Sequence, residues 1–330
     1  MKTKKRDVLY CGVDEYKILS AIPGIDTDMF KELAQMVKDR YRIHKRKDVK
    51  KMPKPWTKNP IMQQYKFTNV RREHDRETKW LIEHITSNPE VSYEDKLLNC
   101  ILFRLFNKHQ TSEIIHQPIN FKELHKNPSR YKQALADAKA SGQKLFTNAF
   151  FTTGCRQGIQ KHLETQGIKS DFSGNDILLF MDCLYQDGIV DKIKSAKDQQ
   201  DVFKVITSYT GIGSFLGYQM FVDMTYISEF PFSENEFTVA GPGCRKGLDL
   251  LFTDRTGLTY EECLFWLRDA WENLCVDCQI PWDADKLFSD LPEYDRCMNV
   301  MSLENCFCEF SKYMRAKTGQ GRPKVKYKGV

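Results

Sequence analysis

The sequence predicts an all-α protein, and three observations carry that prediction. Apolar residues recur at three- and four-residue spacing along most of the chain, which is the period of an amphipathic helix. We find no alternation of period two longer than a few residues, apart from a short extended piece near 237–239. Gly211-Ile212-Gly213 separates two apolar helical patterns, which predicts a helix, a glycine hairpin and a second helix.

Residues 1–59 are expected to form an N-terminal helical extension and a basic linker. Asp26 can cap a helix whose apolar stripe runs from Met29 to Val37. Residues 38–58 then carry ten Lys/Arg against two Asp, and include two prolines. This stretch is expected to be a linker or loop that either touches a polyanion or keeps the chain soluble.

Residues 60–315 are expected to form one helical domain. Asn69, after Thr68, can cap a helix that continues to Ile85. Ser92 and Asp95 can cap a second helix, which is apolar on most sides and therefore central. Arg104 on that helix needs an anion, which is either a carboxylate or a phosphate.

The remaining helices follow from the same patterns. Helical periodicity covers most of 118–185, with a break at Ser141-Gly142, and Thr259 with Glu262 forms a capping box before another helix. A helix over 302–315 closes the folded part. The tail, 316–330, is basic and poor in apolar residues, so we expect it to be flexible until it meets a partner.

The glycine hairpin suits a phosphate. Gly211 and Gly213 leave main-chain N–H groups uncovered at the start of the second helix. A second element rich in Gly and Pro, FTVAGPGCRKG at 237–247, ends in Arg245 and Lys246. Such contacts fix a protein on nucleic acid without reading its sequence. The arrangement resembles the helix-hairpin-helix of DNA glycosylase-type folds, although a plain tight turn between helices has the same pattern.

Composition excludes several other classes of protein. No run approaches the roughly 18 apolar residues of a membrane span, and the first residues lack the apolar core of a signal peptide. We therefore expect a cytosolic protein without a membrane partner. The eleven cysteines are expected to be reduced thiols, and the spacing of Cys275 and Cys278 with the later cysteines does not favour zinc. We expect no metal site, and the chain has no Gly-x-x-x-x-Gly-Lys-[Ser/Thr] phosphate loop.

Five segments together resemble one known family. They are FTNVRREHDRETKWL at 67–81, NCILFRLFN at 99–107, the expected turn at Thr153-Gly154, GIGSFLGYQMFVDMTY with FTVAGPGCRKG, and SLENCFCEFSKY at 302–313. They resemble the amino acid:DNA transferases, or α-glutamyl/putrescinyl thymine pyrophosphorylases, whose domain is also labelled the 5-hydroxymethyluracil DNA kinase helical domain. The resemblance covers roughly residues 60–315.

The resemblance implies a bacteriophage enzyme that acts on double-stranded DNA in the cytoplasm of an infected bacterial host. Its substrate is 5-pyrophosphorylmethyl-uracil, and an amino acid or polyamine replaces the pyrophosphate. The base is expected to leave the stack before it reacts. The fold is expected to be related to helix-hairpin-helix DNA glycosylases, and no cofactor is implied.

This chemistry gives roles to polar side chains in the matched segments. A carboxylate must accept the proton of the amine, and the candidates are Asp223, Glu236 and Asp75. Pyrophosphate needs cations, for which Arg72, Arg104 and Arg245 have suitable fork geometry. The candidates for hydrogen bonds to the Watson–Crick edge of the flipped base are Asn69, Asn107 and Gln219. The candidates for contacts with the DNA backbone are Gly211, Gly213, Lys246 and Lys324.

Several alternatives stay open. A helix-hairpin-helix glycosylase places its catalytic Asp after the hairpin, where this chain has none, and would have to use Glu234 or Glu236. A non-catalytic DNA-binding module is a third function. A covalent route through the thiolate of Cys100 or Cys308 is conceivable, although a buried cysteine is usually inert. Each buried charged residue is also consistent with a purely structural ion pair.

Overall fold

Helices dominate the structure, as the 3.6-residue period predicts. The computed structural model describes residues 10–147, 153–169, 173–321, 323 and 325–327, so Lys324 lies outside the described residues. The chain divides into two units: unit 1 is Met1–Asp75 with Glu234–Val330, and unit 2 is Arg76–Ser233. The predicted boundaries after residues 59 and 315 both fall within unit 1.

The first half of unit 1 is built on one long helix. α1 (Glu15–Ser20) precedes α2 (Thr27–His44), and the Asp26 side chain accepts hydrogen bonds from two N–H groups of the first turn of α2, as predicted. A π-helical turn, Lys45–Val49, continues α2, and α3 (Pro60–Gln64) follows a loop. The first part of the basic stretch is therefore helical, which corrects the expectation of a linker or loop.

The second half of unit 1 packs its helices against α2. Its helices are α14 (Pro242–Leu251), α15 (Tyr260–Asp277), α16 (Ala284–Leu287) and α17 (Val300–Lys317), with a 3₁₀ turn at Glu293–Asp295. The predicted capping box of Thr259 and Glu262 opens α15. α14 and α17 approach closely because Gly247 has no side chain: a Cβ atom there would lie 2.3 Å from the Phe307 carbonyl oxygen.

Two short antiparallel strands also lie in unit 1. β1 (Gly24–Ile25) pairs with β2 (Phe252–Asp254), with Ile25 opposite Phe252. The strand lies here and not at 237–239, where the sequence predicted a short extended piece. In the tail, Val325 and Tyr327 make main-chain hydrogen bonds of 2.9 and 3.0 Å with Lys66 and Gln64, so this part of the tail has a defined place in unit 1.

The structure corrects the helix that was predicted for residues 69–85. The sequence predicted one helix from Asn69 to Ile85, but the structure has a 3₁₀ turn at Arg72–His74, then α4 (Arg76–Leu81) and a π-helical turn at Ile82–Thr86. The helix begins late because the main-chain N–H and the side chain of Asn69 both bond to the Asp75 side chain. Such local bonds offer the chain an alternative to a helical turn.

The regular secondary structure of unit 2 is helical in its described residues. Its helices after α4 are α5 (Tyr93–Phe106), α6 (His109–Ile114), α7 (Phe121–Lys126), α8 (Ser129–Ala140), α9 (Thr153–Thr165), α10 (Ser173–Gln186), α11 (Ile189–Lys194), α12 (Gln199–Thr207) and α13 (Ser214–Met224). α5 is central as predicted: it is buried from Lys96 to Phe106, and α10 and α13 both pack on it. Thr153 and Gly154, expected in a turn, are the first residues of α9.

The predicted glycine hairpin is present between α12 and α13. Gly211 has a φ of +109°, which side-chain-bearing residues rarely adopt, and a Cβ atom there would lie 2.7 Å from the Ile159 nitrogen on α9. Gly213 is the N-cap of α13. Among the helices of the described residues, none is both long and apolar enough to cross a membrane.

Candidate active site

Three segments of unit 1 meet around the first two turns of α17, and all three lie in or beside segments that carry the family resemblance. Asn305 donates from Nδ2 to the Asn69 carbonyl oxygen at 2.6 Å. Asn299, the N-cap of α17, donates from Nδ2 to Glu234 Oε1 at 2.6 Å. The Gly241 N–H donates to Glu304 Oε1 at 3.3 Å. We call this group of residues 69–75, 234–241 and 295–305 the α17 site.

One buried guanidinium gathers three acidic side chains at the α17 site. Arg71 is fully buried and bonds from Nε to Glu73 Oε1 at 2.8 Å and from Nη2 to Glu234 Oε1 at 3.3 Å. Its Nη2 also bonds to Asp295 Oδ2. Burial, followed by the charge of Glu73, raises the pKa of Glu234 to about 7, against the opposing effect of Arg71. Burial and the neighbouring carboxylates therefore favour the protonated form of Glu234 more than solvent does.

Glu304 is a second carboxyl group of the same kind. It lies in the second turn of α17 and is buried. Burial raises the pKa of Glu304 to about 7, although the Gly241 N–H and the charge of Arg72 oppose the shift. The α17 site therefore holds two carboxyl groups with a raised pKa, those of the buried Glu304 and the half-buried Glu234.

The structure gives Asp75 and Asn69 a shared role. Asp75 Oδ1 accepts from the Asn69 N–H at 3.0 Å and from Asn69 Nδ2 at 2.8 Å. Nδ2 also donates to the His74 carbonyl oxygen at 3.0 Å. Burial raises the pKa of Asp75, and the bonds from Asn69 oppose that shift. Asn69 thus positions the carboxyl group of Asp75, instead of presenting its amide N–H groups to a base.

Side chains of unit 1 form hydrogen bonds with the main chain of the second hairpin-like element, residues 237–247. The N–H groups of Ala240 and Gly241, just before α14, donate to Glu261 at 2.9 Å and to Glu304. Arg245 donates from Nε to the Ala240 carbonyl oxygen at 2.9 Å, and its guanidinium lies 5.3 Å from the centre of the Tyr260 ring. Lys246 is exposed on α14. Two of the main-chain donors before α14, the N–H groups of Ala240 and Gly241, therefore already have acceptors within the protein.

Arg104, Asp223 and Asn107 come together in unit 2. Arg104 bonds from Nε to Asp223 Oδ2 at 2.7 Å and from Nη2 to Oδ1, and it donates from Nη1 to Asn107 Oδ1 at 2.7 Å. Asp223 is fully buried, and Gln219 is buried one turn before it on α13. The anion that Arg104 requires is therefore a carboxylate, one of the two possibilities that the sequence left open.

The predicted site residues are thus divided between the units. Unit 2 holds Arg104, Asn107, Gln219 and Asp223 with the hairpin glycines, whereas unit 1 holds Asn69, Arg72, Asp75, Glu236, Arg245 and Lys246. Glu236 is half-buried, and its carbonyl oxygen accepts from the Cys11 N–H at 3.1 Å. Asn69, Arg72 and Asp75 belong to the α17 site, with Glu236 on its 234–241 segment.

The sequence does not predict Arg71, Glu304 or Asn299 as site residues. Glu304 lies on a helical stretch rich in apolar residues, and a carboxyl group buried there needs a partner for the same reason that Arg104 does. No comparable signal marks Arg71, because its acidic partners Glu234 and Asp295 lie 163 and 224 residues away along the chain.

The thiols are poorly suited to nucleophilic attack. All eleven cysteines are free. Burial raises the pKa of Cys100 well above its usual range and that of Cys308 to about 11. Both side chains are therefore protonated near neutral pH, which disfavours a route through a thiolate.

One group in the described part of the chain brings together side chains that can hold a metal. The donor atoms of His44, His74 and Asp290 lie within 4.8 Å of one another. The two imidazole rings stack at 3.9 Å with an angle of 10° between them, and His44 Nδ1 lies 3.3 Å from Asp48. Zinc bonds of about 2.0–2.1 Å require ring nitrogens that converge on one point, so this stacked arrangement does not fit an ion.

One small cavity lies beside the α17 site. A cavity lined by Asn69, Asn305 and Glu309 has a volume of about 10 Å³. That is about the room that a single water molecule needs. A nucleobase does not fit this cavity in the arrangement described here.

Comparison with known proteins places the chain in a family. The family model for the helical domain of 5-hmdU DNA kinase matches residues 27–322. The chain belongs to this family. The match begins at the start of α2, so the basic stretch 38–58, which lay outside the resemblance seen from about residue 60, is part of the matched region.

A curated relative carries a related name. The "5-hmdU DNA kinase" of Bacillus phage SP10 is 26% identical over 289 residues, which cover 83% of this chain and 43% of the relative. The chain therefore matches less than half the length of that relative. No solved structure matches the chain significantly.

Proposed function

We propose that the chain is a DNA-modifying transferase of phage type. Its substrate would be 5-pyrophosphorylmethyl-uracil in double-stranded DNA, and an amino acid or polyamine would replace the pyrophosphate. The relative from phage SP10 is named for 5-hmdU in DNA, the base from which this substrate derives. The observation that carries the proposal is the geometry of the α17 site, where Glu234 accepts from Arg71 and Asn299 and Glu304 accepts from the Gly241 N–H. Burial raises the pKa of both carboxyl groups.

The reaction needs one proton acceptor and a stabilised leaving group. The amine nitrogen attacks the 5-methylene carbon, a C–N bond forms, and the C–O bond to pyrophosphate breaks with its electron pair on the leaving oxygen. The amine loses one proton, which a carboxylate accepts. A base with a pKa near the working pH combines a large deprotonated fraction with sufficient basicity.

We assign the proton acceptor to Glu304, with Glu234 as the second candidate. Asp75 and Glu236 stay candidates from the sequence. Asp223 is disfavoured because Arg104 binds both of its oxygens in the interior of unit 2. Arg72 is the preferred cation for the leaving group, since its charge already acts on Glu304. Phosphorylation is not the proposed step, because the sequence lacks a phosphate-loop motif.

Mass analysis of the product tests this function. DNA that carries 5-pyrophosphorylmethyl-uracil is incubated with the protein and a mixture of amino acids and polyamines, then digested to nucleosides and weighed. We expect a new adduct mass, which also identifies the nucleophile. Glu304→Gln should slow its formation about 100-fold or more, the usual loss for a general base. Glu90→Gln, at an exposed position, is the control with the same change of charge.

Other products support other functions. Abasic sites and free base would establish a glycosylase, and unchanged DNA that stays bound would establish a DNA-binding module. An adduct formed at the normal rate by a folded Glu304→Gln variant would keep the transferase but remove Glu304 as its base.

A further inference from the structure

A strongly basic groove runs beside α2. The groove has a volume of about 680 Å³ and is lined by six cationic side chains, with Asp283 as the acidic residue among those that line it. The cations are Lys38, Arg42, Lys45, Arg46, Lys50 and Lys286. Four of the six lie in α2 and the π-helical turn that continues it, Lys50 directly follows that turn, and Trp282 also lines the groove.

A second groove adjoins the first. It has a volume of about 790 Å³ and shares Arg42 and Arg46 with its neighbour. Lys58 and Lys317 add two further cations, Trp56 lies on its wall, and Asp39 is the acidic residue among those that line it. We call the two grooves together the α2 strip. Eight cationic side chains therefore face two acidic ones along this strip.

Neutral acceptors hold several of these cations in place. Lys38 donates to the Pro281 carbonyl oxygen at 3.0 Å, and Arg46 donates to the Trp56 carbonyl oxygen at 2.7 Å. Lys45 donates to two further carbonyl oxygens, those of residues 286 and 287, at 3.2 Å each. A carbonyl oxygen orders an ammonium or guanidinium group without cancelling its charge. The positive potential of the strip is therefore fixed in position.

Acidic side chains near the strip offset this charge weakly. Asp39 Oδ1 lies 3.9 Å from Arg42 Nη1, and Asp290 Oδ1 lies 3.9 Å from Lys45 Nζ. Both distances exceed those of a hydrogen-bonded pair. Lys317 pairs with Glu32, so it is the cation of the strip that is best neutralised.

We propose that the α2 strip binds the phosphate backbone of DNA. Regularly placed cations neutralise phosphates and release counterions, and this term supplies most of the affinity of sequence-independent binding. The strip is distinct from the hairpin glycines of unit 2 and from Lys246 on α14. The choice of DNA as the polyanion rests on the proposed function, whereas the cationic geometry stands by itself.

The salt dependence of DNA binding measures how many phosphates the α2 strip neutralises. The dissociation constant for a short unmodified duplex is determined from about 50 to 200 mM salt, where each neutralised phosphate contributes about 0.9 to the slope of log K against log salt. The triple variant Arg42→Gln, Arg46→Gln and Lys50→Gln should bind more weakly and lose about 2.7 from the slope. All three residues are exposed.

The matched control removes the same charge elsewhere. Lys122, Lys126 and Arg130 are exposed on α7 and α8 of unit 2, and their replacement by Gln should leave the slope unchanged. An unaltered slope in the α2 triple variant would overturn the proposal, as would an equal loss in the control. If the loss of the Arg46 contact unfolds the triple variant, Arg42→Gln with Lys50→Gln should still lose about 1.8.

The test is independent of the chemistry. Unmodified DNA is used, so a changed slope supports the strip even if no adduct mass is found in the reaction assay. Conversely, the wild-type protein could form the adduct while the α2 triple variant has an unaltered salt-dependence slope. That result would support the transferase function and contradict DNA binding by the α2 strip.

Discussion

Glu304 illustrates how a single buried carboxyl group links function to stability. Its pKa is about 7 in the folded protein, against about 4.3 for a solvated Glu. Between these two values the folded state binds a proton that the unfolded state releases. The stabilisation from this proton is complete below about pH 4.3 and is lost as the pH rises through about 7.

We therefore expect the free energy of unfolding to fall as the pH rises from about 5 to 8, by up to about 3 kcal/mol for each such group. Glu304→Gln should remove the contribution of one carboxyl group to this pH dependence, because the amide keeps an acceptor for the Gly241 N–H but does not titrate. Urea unfolding at a series of pH values measures this slope, with Glu90→Gln as the control. Parallel curves for Glu304→Gln and the wild type would contradict the assigned shift.

Residue-level prediction succeeds where partners are close in sequence. The cap at Asp26 and the capping box at Thr259 were both predicted, because each side chain binds main-chain groups two or three residues away. The cluster around Arg71 was not predicted, because sequence spacing does not indicate which acidic residues, far away along the chain, the fold brings together. The need of Arg104 for an anion was predicted, but not that Asp223 supplies it.

At the scale of elements, the glycine hairpin shows what spacing alone can establish. Two apolar periodic runs interrupted by Gly-Ile-Gly predicted α12, the turn and α13, and the structure confirms all three. The helix expected to start at Asn69 was wrong because hydrogen bonds between Asn69 and Asp75 compete with helix formation, and helix propensity cannot weigh them.

The two hairpin glycines should respond differently to substitution. Gly211→Ala forces a side chain into a φ of +109° and places its Cβ atom 2.7 Å from Ile159, so we expect a loss of stability of about 2 kcal/mol or more. Gly213→Ala meets nothing within 4 Å and should cost about 1 kcal/mol or less, as an N-cap change does. Thermal or urea unfolding separates the two, and equal losses would contradict this account of the turn.

At the scale of the whole molecule, unit 1 is discontinuous in sequence and unit 2 is continuous. The sequence predicted a single domain over 60–315. Helical periodicity locates helices but does not reveal which of them share a core, so this division into units could not be predicted from it. The structure places Phe30, Leu33 and Val37 of α2 in the core of unit 1 with α14, α15 and α17. The helix described from the sequence as an extension is thus part of that core.

Two fragments test this organisation. A fragment of residues 76–233 should be helical and unfold cooperatively, because it contains the whole of unit 2. A fragment of residues 60–315 should lose the cooperative unfolding of unit 1, because it lacks α2. Circular dichroism during thermal unfolding compares them with the full chain. A 60–315 fragment as stable as the full chain would show that α2 is dispensable for the core.

The split of unit 1 also sets an order of events during synthesis. α2 leaves the ribosome with its apolar stripe complete, but the helices that cover the stripe follow only after the 158 residues of unit 2. At roughly 5–20 residues per second, that delay is about 8–30 s. Throughout it, Phe30, Leu33 and Val37 remain without their C-terminal partners, so this apolar stripe stays uncovered for longer than it would in a continuous domain of this size.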